Sequence, residues 1–303
     1  HFVLTLVVRN LSHQNLPLRH VRKSMSLATG DDRWLIAIDI DGTLVHDNGF
    51  LSERTVAEVA RVRSLGHEVI VATGRSSANA MPVIRDVRIT NGYAVCSNGA
   101  VTIELHDKHE RGYRTHEVIS FDPKPVLQEL ITALPNAHFA VEDIDGSYRF
   151  HREFPTYALG DQNNEAPLEE LTAHPVSRVV VLSPEHDAEE FGLMIDRLGL
   201  HSVTYAIGYT AWLDIAPSGV SKASALEKRR MELGINPAQV ITIGDGRNDI
   251  QMFEWARDAG GHAFAMGQAP DEVKEAATAV TAAVEDDGVA QVLAGFEGIR
   301  FIG

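Results

Sequence analysis

Trp34-Leu-Ile-Ala-Ile-Asp39-Ile-Asp41-Gly42-Thr43 carries the strongest structural signal in the chain. A continuous apolar run ends in an acid. Such a run, without polar alternation, reads as a strand buried on both faces. The Asp-x-Asp-Gly-Thr that follows suits a tight turn off the strand end. That turn would present two carboxylates and free backbone N–H groups to one ligand. A calcium loop counted from Asp39 would need Glu at its twelfth place, where Phe50 stands. A plain Asp-Gly turn remains the structural alternative.

Outward from this strand the pattern alternates. Ser52 is placed to cap a helix carrying Val56, Val59, Ala60 and Leu65, closed by Gly66. Apolar strands follow at Glu68–Thr73 and Ala94–Ser97. The same texture returns late in the chain, with helices from Ser221 to Leu233, Asp249 to Arg257 and Asp271 to Ala277. Strands are expected there at Val240–Gly244 and His262–Met266. Strand–helix–strand alternation predicts a Rossmann-like, doubly wound α/β core with a parallel sheet. Between the halves the spacing suggests antiparallel pairs and two helices. One pair is Val101–Leu105 with Arg114–Ile119. Another is His138–Ile144 with Ser147–His151, joined at Asp145-Gly146. The expected division is a core at 31–100 and 212–303, with an inserted α+β domain at 101–211.

Three further segments match the first in setting, each at a strand end or a helix start, where open α/β sheets bind ligands. In Thr73-Gly74-Arg75, a hydroxyl and the next N–H groups can hold an anion. In Ser218-Gly-Val-Ser-Lys222, a lysine occupies the first helical turn, against the helix dipole. That placement suggests that Lys222 faces an anion, with a solvated surface lysine as the alternative. In Gly244-Asp245-Gly246-Arg247-Asn248-Asp249, Asp245 can ligate a hard cation and Asp249 suits the helix start.

Together, in this order, the four segments resemble the motifs of the haloacid dehalogenase-like hydrolase superfamily. The likeness runs from Trp34 onward. The place of the insert is similar to that of the type IIB cap of the Cof-type phosphatases, and Ser97-Asn98-Gly99-Ala100 resembles their turn before the cap. The resemblance implies an Mg²⁺-dependent phosphatase acting on small phosphorylated metabolites, with sugar phosphates as the first expectation and nucleotides or flavin-type phosphates behind. It implies Asp39 as nucleophile and Asp41 as acid and base. Gly42, Thr73, Gly74, Lys222 and Asn248 would bind phosphate. Asp39, Asp41 (through its carbonyl) and Asp245 would hold the metal, supported by Asp249. A phosphomutase of the phosphomannomutase type and a non-catalytic metal- or phosphate-binding module are the alternatives. Cap residues that could read the leaving group are Glu142, Asp145, Arg149, His151 and Arg152, each also plausible as solvated surface. Asp143-Ile-Asp145-Gly146-Ser147 nearly repeats the first motif, but strands on both sides make it a hairpin turn.

Composition narrows the function classes. Over 303 residues the formal charge is −15, against a general affinity for nucleic acid. No run of eighteen apolar residues exists, so no membrane helix is expected. The single cysteine, Cys96, excludes an intramolecular disulfide and fits a reducing cytoplasm, the expected location. The fourteen histidines show no zinc-ligand spacing. Residues 1–30 hold Arg9, Arg19, Arg22 and Lys23 and no acid. They are expected to be a disordered tail outside the core, with Met25 as a plausible start and an organelle leader as the alternative. Oligomeric state is left open between monomer and homodimer.

Overall fold

The computed structural model describes residues 32–155, 159, 163–200, 203–208 and 211–295. The segment 1–30 lies outside the described residues. Strand β1 (Leu35–Ile38) leads through helix α1 (Glu53–Ser64) to β2 (Glu68–Ala72), then through α2 (Ser77–Asp86) to β3 (Asn91–Cys96). A hairpin follows, β4 (Val101–His106) and β5 (Tyr113–Val118). Next come α3 (Lys124–Ala133), β6 (His138–Glu142), β7 (Tyr148–His151), β8 (Asn163–Glu165), β9 (Arg178–Leu182), α4 (Ala188–Leu198), β10 (Val203–Ile207) and β11 (Trp212–Pro217). The chain returns through α5 (Lys222–Glu232), β12 (Val240–Gly244), α6 (Ile250–Asp258), β13 (His262–Ala265), α7 (Asp271–Ala276), β14 (Ala279–Val280) and α8 (Gly288–Ala294).

The core sheet has eight strands in the order β14-β13-β12-β1-β2-β3-β4-β5. From β14 to β3 the strands run parallel. β1 sits in the middle because both of its faces are apolar. Ile36 and Ile38 join the cluster under α1, α2 and α8, while Leu35 and Ala37 join the cluster under α5, α6 and α7. The chain winds outward from β1 on one side and returns beside it at β12. Strand order therefore reverses between β1 and β12, and the carboxyl ends there are the expected place for a ligand. Asp39 and Asp245 follow those two ends.

The second sheet, order β10-β11-β9-β6-β7-β8, forms the insert, with α3 and α4 packed on one face. Here the expected boundaries shift. β4 pairs antiparallel with β3 along its full length, so the hairpin 101–118 extends the core sheet instead of opening the insert. The cause is local. Ser97, Asn98 and Gly99 all have positive φ, at 49°, 52° and 102°, and reverse the chain directly onto β3. Val101, Ile103 and Leu105 then continue the core cluster. At the far end, β11 belongs to the insert sheet by its pairing with β10 and β9. The two sheets thus divide the chain near 119 and 217, not at 101 and 211. Gly99 is needed for close approach as well as for its φ, since a Cβ there would meet the Ser221 carbonyl oxygen at 2.1 Å.

Candidate active site

The four sequence segments converge. Lys222 is 1% exposed, and its Nζ donates to Asp39 Oδ1 at 2.6 Å and Asp249 Oδ1 at 2.7 Å. The lysine in the first turn of α5 thus faces anions. Its conflict with the helix dipole costs roughly 0.3–1 kcal/mol. Hydrogen bonds to charged groups contribute about 1.5–3 kcal/mol each, so the pairing wins. Burial pulls the Lys222 ammonium down, but Asp249 and Asp39 outweigh it and hold its pKa above the ordinary lysine value.

Asp39, Asp245 and Asp249 bring carboxylate oxygens within 4.8 Å of one another, all buried. Burial pushes the Asp39 pKa well up. Lys222 opposes the rise, while Asp249, Asp245 and Asp41 add to it. Three buried carboxylates against one ammonium leave negative charge uncompensated. Such an oxygen set fits a hard divalent cation. Asp249 is the least available of the three. Its other oxygen accepts from the N–H groups of Asp245 at 3.0 Å and Gly246 at 2.9 Å, so it braces the turn and Lys222. Thr43 Oγ1 steadies Asp245 at 3.3 Å. Gly42 is required here: with φ +70°, a Cβ on it would lie 2.3 Å from Asp245 Oδ2.

Asp41 projects differently. Its side chain is 62% exposed and paired with Arg75, whose Nη2 lies 2.5 Å away and whose Nε lies 3.0 Å from the second oxygen. Thr73 is fully buried, and its Oγ1 accepts from Arg75 N at 3.0 Å. Asn248 Nδ2 donates to Asn98 Oδ1 at 3.0 Å beside Gly74. Every residue expected in the site is therefore gathered around the ends of β1, β2 and β12.

Sequence reasoning missed several neighbours. Arg75 stood within its own motif, but nothing local showed that its partner lies across the sheet at Asp41. A buried cluster from the insert was also missed. Arg178 donates to Glu142 Oε2 at 3.0 Å, to Asp214 Oδ1 at 3.3 Å, to the Tyr148 hydroxyl and to the Gly74 carbonyl. Glu142 accepts from Ser97 Oγ at 2.8 Å, and Asn98 Nδ2 reaches Asp214 at 3.4 Å. Burial raises the Asp214 pKa against the pull of Arg178. The insert is thus tied by charge to the turns at Gly74 and Ser97–Asn98.

Of the cap residues considered from sequence, Glu142 reaches the core through this cluster. Asp145 accepts from Ser147 within its own turn, and Arg149 pairs with Asp143 at 2.6 Å. His151 ends β7, and Arg152 follows it, exposed and with φ 64°. The Asp143–Ser147 segment is the hairpin turn between β6 and β7.

Residues 36–293 match the family model of the haloacid dehalogenase-like hydrolases. The chain belongs to that family. Its fold is a Rossmann-like α/β core with an inserted α+β cap, the arrangement of the subclass IIB structures. It is 28% identical over 266 residues to the 5-amino-6-(5-phospho-D-ribitylamino)uracil phosphatase YitU of Bacillus subtilis, covering 86% of this chain and 96% of that one. It is 29% identical over 281 residues to the pyridoxal phosphate phosphatase YbhA of Escherichia coli, covering 86% and 97%. Among solved structures, a haloacid dehalogenase-like hydrolase from Bacteroides thetaiotaomicron superposes with TM-score 0.69 at 22% identity, over 87% of this chain and 99% of that one. The subclass IIB sugar phosphatase BT4131 gives TM-score 0.72 at 20% identity, over 87% and 99%, a likeness of fold. Among the described residues, no helix is long and apolar enough to cross a membrane.

Proposed function

We propose that the protein hydrolyses phosphate monoesters of small phosphorylated metabolites, with Mg²⁺ as cofactor and Asp39 as nucleophile. The observation that carries this reading is the buried Asp39 at the end of β1, held by Lys222 at 2.6 Å beside Asp245 and Asp249. The phosphatase names of the relatives support it. Asp39 attacks phosphorus, and the bond from phosphorus to the ester oxygen breaks. Asp41 gives its proton to that oxygen. A water then loses a proton to Asp41 and attacks the aspartyl-phosphate, which frees Asp39 and inorganic phosphate. The Asp41 side chain lies outside the buried cluster, on the side open to a leaving group, and must release its ion pair with Arg75 to take this double role.

The phosphoryl oxygens would be held by Thr73, the N–H groups of Gly42 and Gly74, Lys222 and Asn248. An anionic nucleophile and an anionic phosphate repel by about 4 kcal/mol at 4 Å and an effective dielectric near 20. Lys222 offsets part of this. Mg²⁺, held by Asp39, Asp245 and the Asp41 carbonyl, would supply further positive charge and favour ionised Asp39.

The test is inorganic phosphate release from a panel of phosphorylated metabolites, with and without Mg²⁺. Release that needs Mg²⁺ is the expected result. No release from any ester, or conversion of a sugar phosphate to an isomer without release, would overturn the reading. Asp41→Asn separates the two carboxylates' roles. It should lower turnover of alkyl phosphates by roughly 10²–10⁴-fold. Mg²⁺ affinity, followed by calorimetry, should stay within about threefold because the proposed contact is the backbone carbonyl. A large loss of affinity would contradict that division.

A further inference from the structure

Arg178 opens β9 and is 5% exposed. Its cross-strand neighbour is Glu142, the last residue of β6, and Glu142 lies opposite Tyr148 at the start of β7. Val141, Val179 and Val181 pack toward α3 and α4. Strand alternation therefore turns Glu142 and Arg178 the other way, toward the core.

Arginine carries five N–H donors in a rigid fork. Four are engaged here. Nε donates to Glu142 at 3.0 Å, Nη1 to Asp214 at 3.3 Å and to the Gly74 carbonyl, and Nη2 to the Tyr148 hydroxyl. Three of these partners belong to the cap. Gly74 belongs to the core, in the turn proposed above to hold phosphoryl oxygens.

That contact falls on a peptide already held at its other end. The Gly74 carbonyl and the Arg75 N–H belong to one planar unit. Arg75 N donates to Thr73 Oγ1 at 3.0 Å. Holding both ends fixes the rotation of the plane. With its oxygen accepting from Arg75, the Thr73 hydroxyl keeps its own O–H to donate to a ligand. Glycine has no side chain to restrain this peptide, so the hold comes from outside.

The turn before β4 backs the same residues. Ser97 N donates to the Arg75 carbonyl at 2.8 Å, and Asn98 N to the Thr73 carbonyl at 3.1 Å. Ser97 Oγ donates to Glu142 at 2.8 Å. Asp214 accepts from Asn98 Nδ2 at 3.4 Å and from Trp212. The acids that hold Arg178 are thus held by the turn that braces Thr73–Arg75. Apolar packing of similar volume ties two domains at least as well as a buried ion cluster does. What the planar fork adds is direction, since it fixes where each acceptor sits.

Resting on the phosphatase reading above, we propose that Arg178 is a positioning residue supplied by the cap, which fixes the Gly74–Arg75 peptide and thereby the Thr73 hydroxyl that meets the transferring phosphoryl group. Arg178 also borders a cavity between cap and core, so direct contact with the leaving group is the rival role.

Arg178→Lys tests it. Lysine keeps a positive charge toward Glu142 and Asp214 but offers a point charge in place of the fork. The full chain with saturating Mg²⁺ is assayed on acetyl phosphate, which has a small leaving group, and on p-nitrophenyl phosphate, which has a large one. kcat should fall by roughly 10–100-fold on both alike, the scale of a small misplacement at the reacting group. Affinity for orthovanadate, a mimic of the transferring group, should fall at least about tenfold by calorimetry. Backbone hydrogen exchange should quicken at 73–75 while α3 and α4 keep the parent's protection. A loss confined to KM for p-nitrophenyl phosphate would make Arg178 a leaving-group contact and overturn the proposal. Parent kcat and vanadate affinity in a folded but less stable variant would reduce Arg178 to a structural tie and overturn it equally. Where Arg178→Lys does not fold, the double variant Glu142→Gln with Arg178→Met, which strands no carboxylate at 142, carries the same expectations. If the parent itself releases no phosphate from either ester, the phosphatase reading fails. Exchange at 73–75 then still decides whether Arg178 shapes the turn: unchanged rates overturn the positioning role on their own.

Discussion

Asp39→Asn is expected to keep the fold and to lower kcat by at least about 10⁴-fold, the scale on which removing a nucleophile acts. The amide matches the carboxylate in shape. It can still accept from Lys222, but it cannot form the acyl phosphate. Stability should move little or rise. Burial lifts the Asp39 pKa, so this group supports the fold fully only below the ordinary Asp value of about 3.9. That support is lost as pH climbs through the raised pKa. Without divalent cation at neutral pH, the substitution therefore removes a carboxylate that resists burial among Asp249 and Asp245. The measurement is single-turnover and steady-state phosphate release at saturating Mg²⁺, beside a melting curve in chelator. Turnover within tenfold of the parent would remove Asp39 from the nucleophile's role. A melting point well below the parent would show that its charge is wanted for the fold.

The core was legible because each signal was local and redundant. β1 is buried on both faces, so its apolar run needed no alternation, and the acid that ends it falls at the point where strand order reverses. Lys222 was legible through a conflict: a cation in a first helical turn is unfavourable unless something pays for it, and two carboxylates do. The near-copy at Asp143 was separable by setting alone, since strands flank it on both sides.

What was not legible depends on tertiary partners. The hairpin 101–118 alternates in the same way whether it edges the core sheet or opens a cap. The left-handed turn at Ser97–Gly99 decides: Asn98-Gly99 marks a turn in sequence, but the positive φ of Ser97 and the return of the chain onto β3 are not written in it. Arg178 and Asp214 look like ordinary strand charges. Their meaning comes from the antiparallel neighbours Glu142 and Val180 and from the core turns beneath them. The same holds for Arg75, whose partner is 34 positions away. Chemistry carried by one strand end can be read from sequence; chemistry shared across a domain boundary needs the fold.

Lys222→Met should show how much of the site's charge balance rests on one side chain. Methionine fills similar space without charge. The variant would leave Asp39, Asp245 and Asp249 buried together with no cation among them. Removing one partner of a buried ion pair costs about 3–5 kcal/mol, because the remaining charge is desolvated and unpaired. The loss should appear in urea unfolding at neutral pH in chelator. It should shrink as pH falls, since protonation neutralises the stranded carboxylates. Mg²⁺ should restore part of it, because a ligand that binds only the folded state stabilises by mass action. Turnover should fall by roughly 10²–10³-fold even with saturating Mg²⁺, the scale for losing one preorganised contact to the transferring group. These two readouts separate the lysine's duties. If stability drops and Mg²⁺ restores both folding and turnover, Lys222 serves as a counter-ion that a metal can replace. If Mg²⁺ restores the fold and not the rate, the ammonium acts on the phosphoryl group itself. A variant within 1 kcal/mol of the parent in chelator would mean that the acids carry protons already and that the charge argument for the metal is wrong.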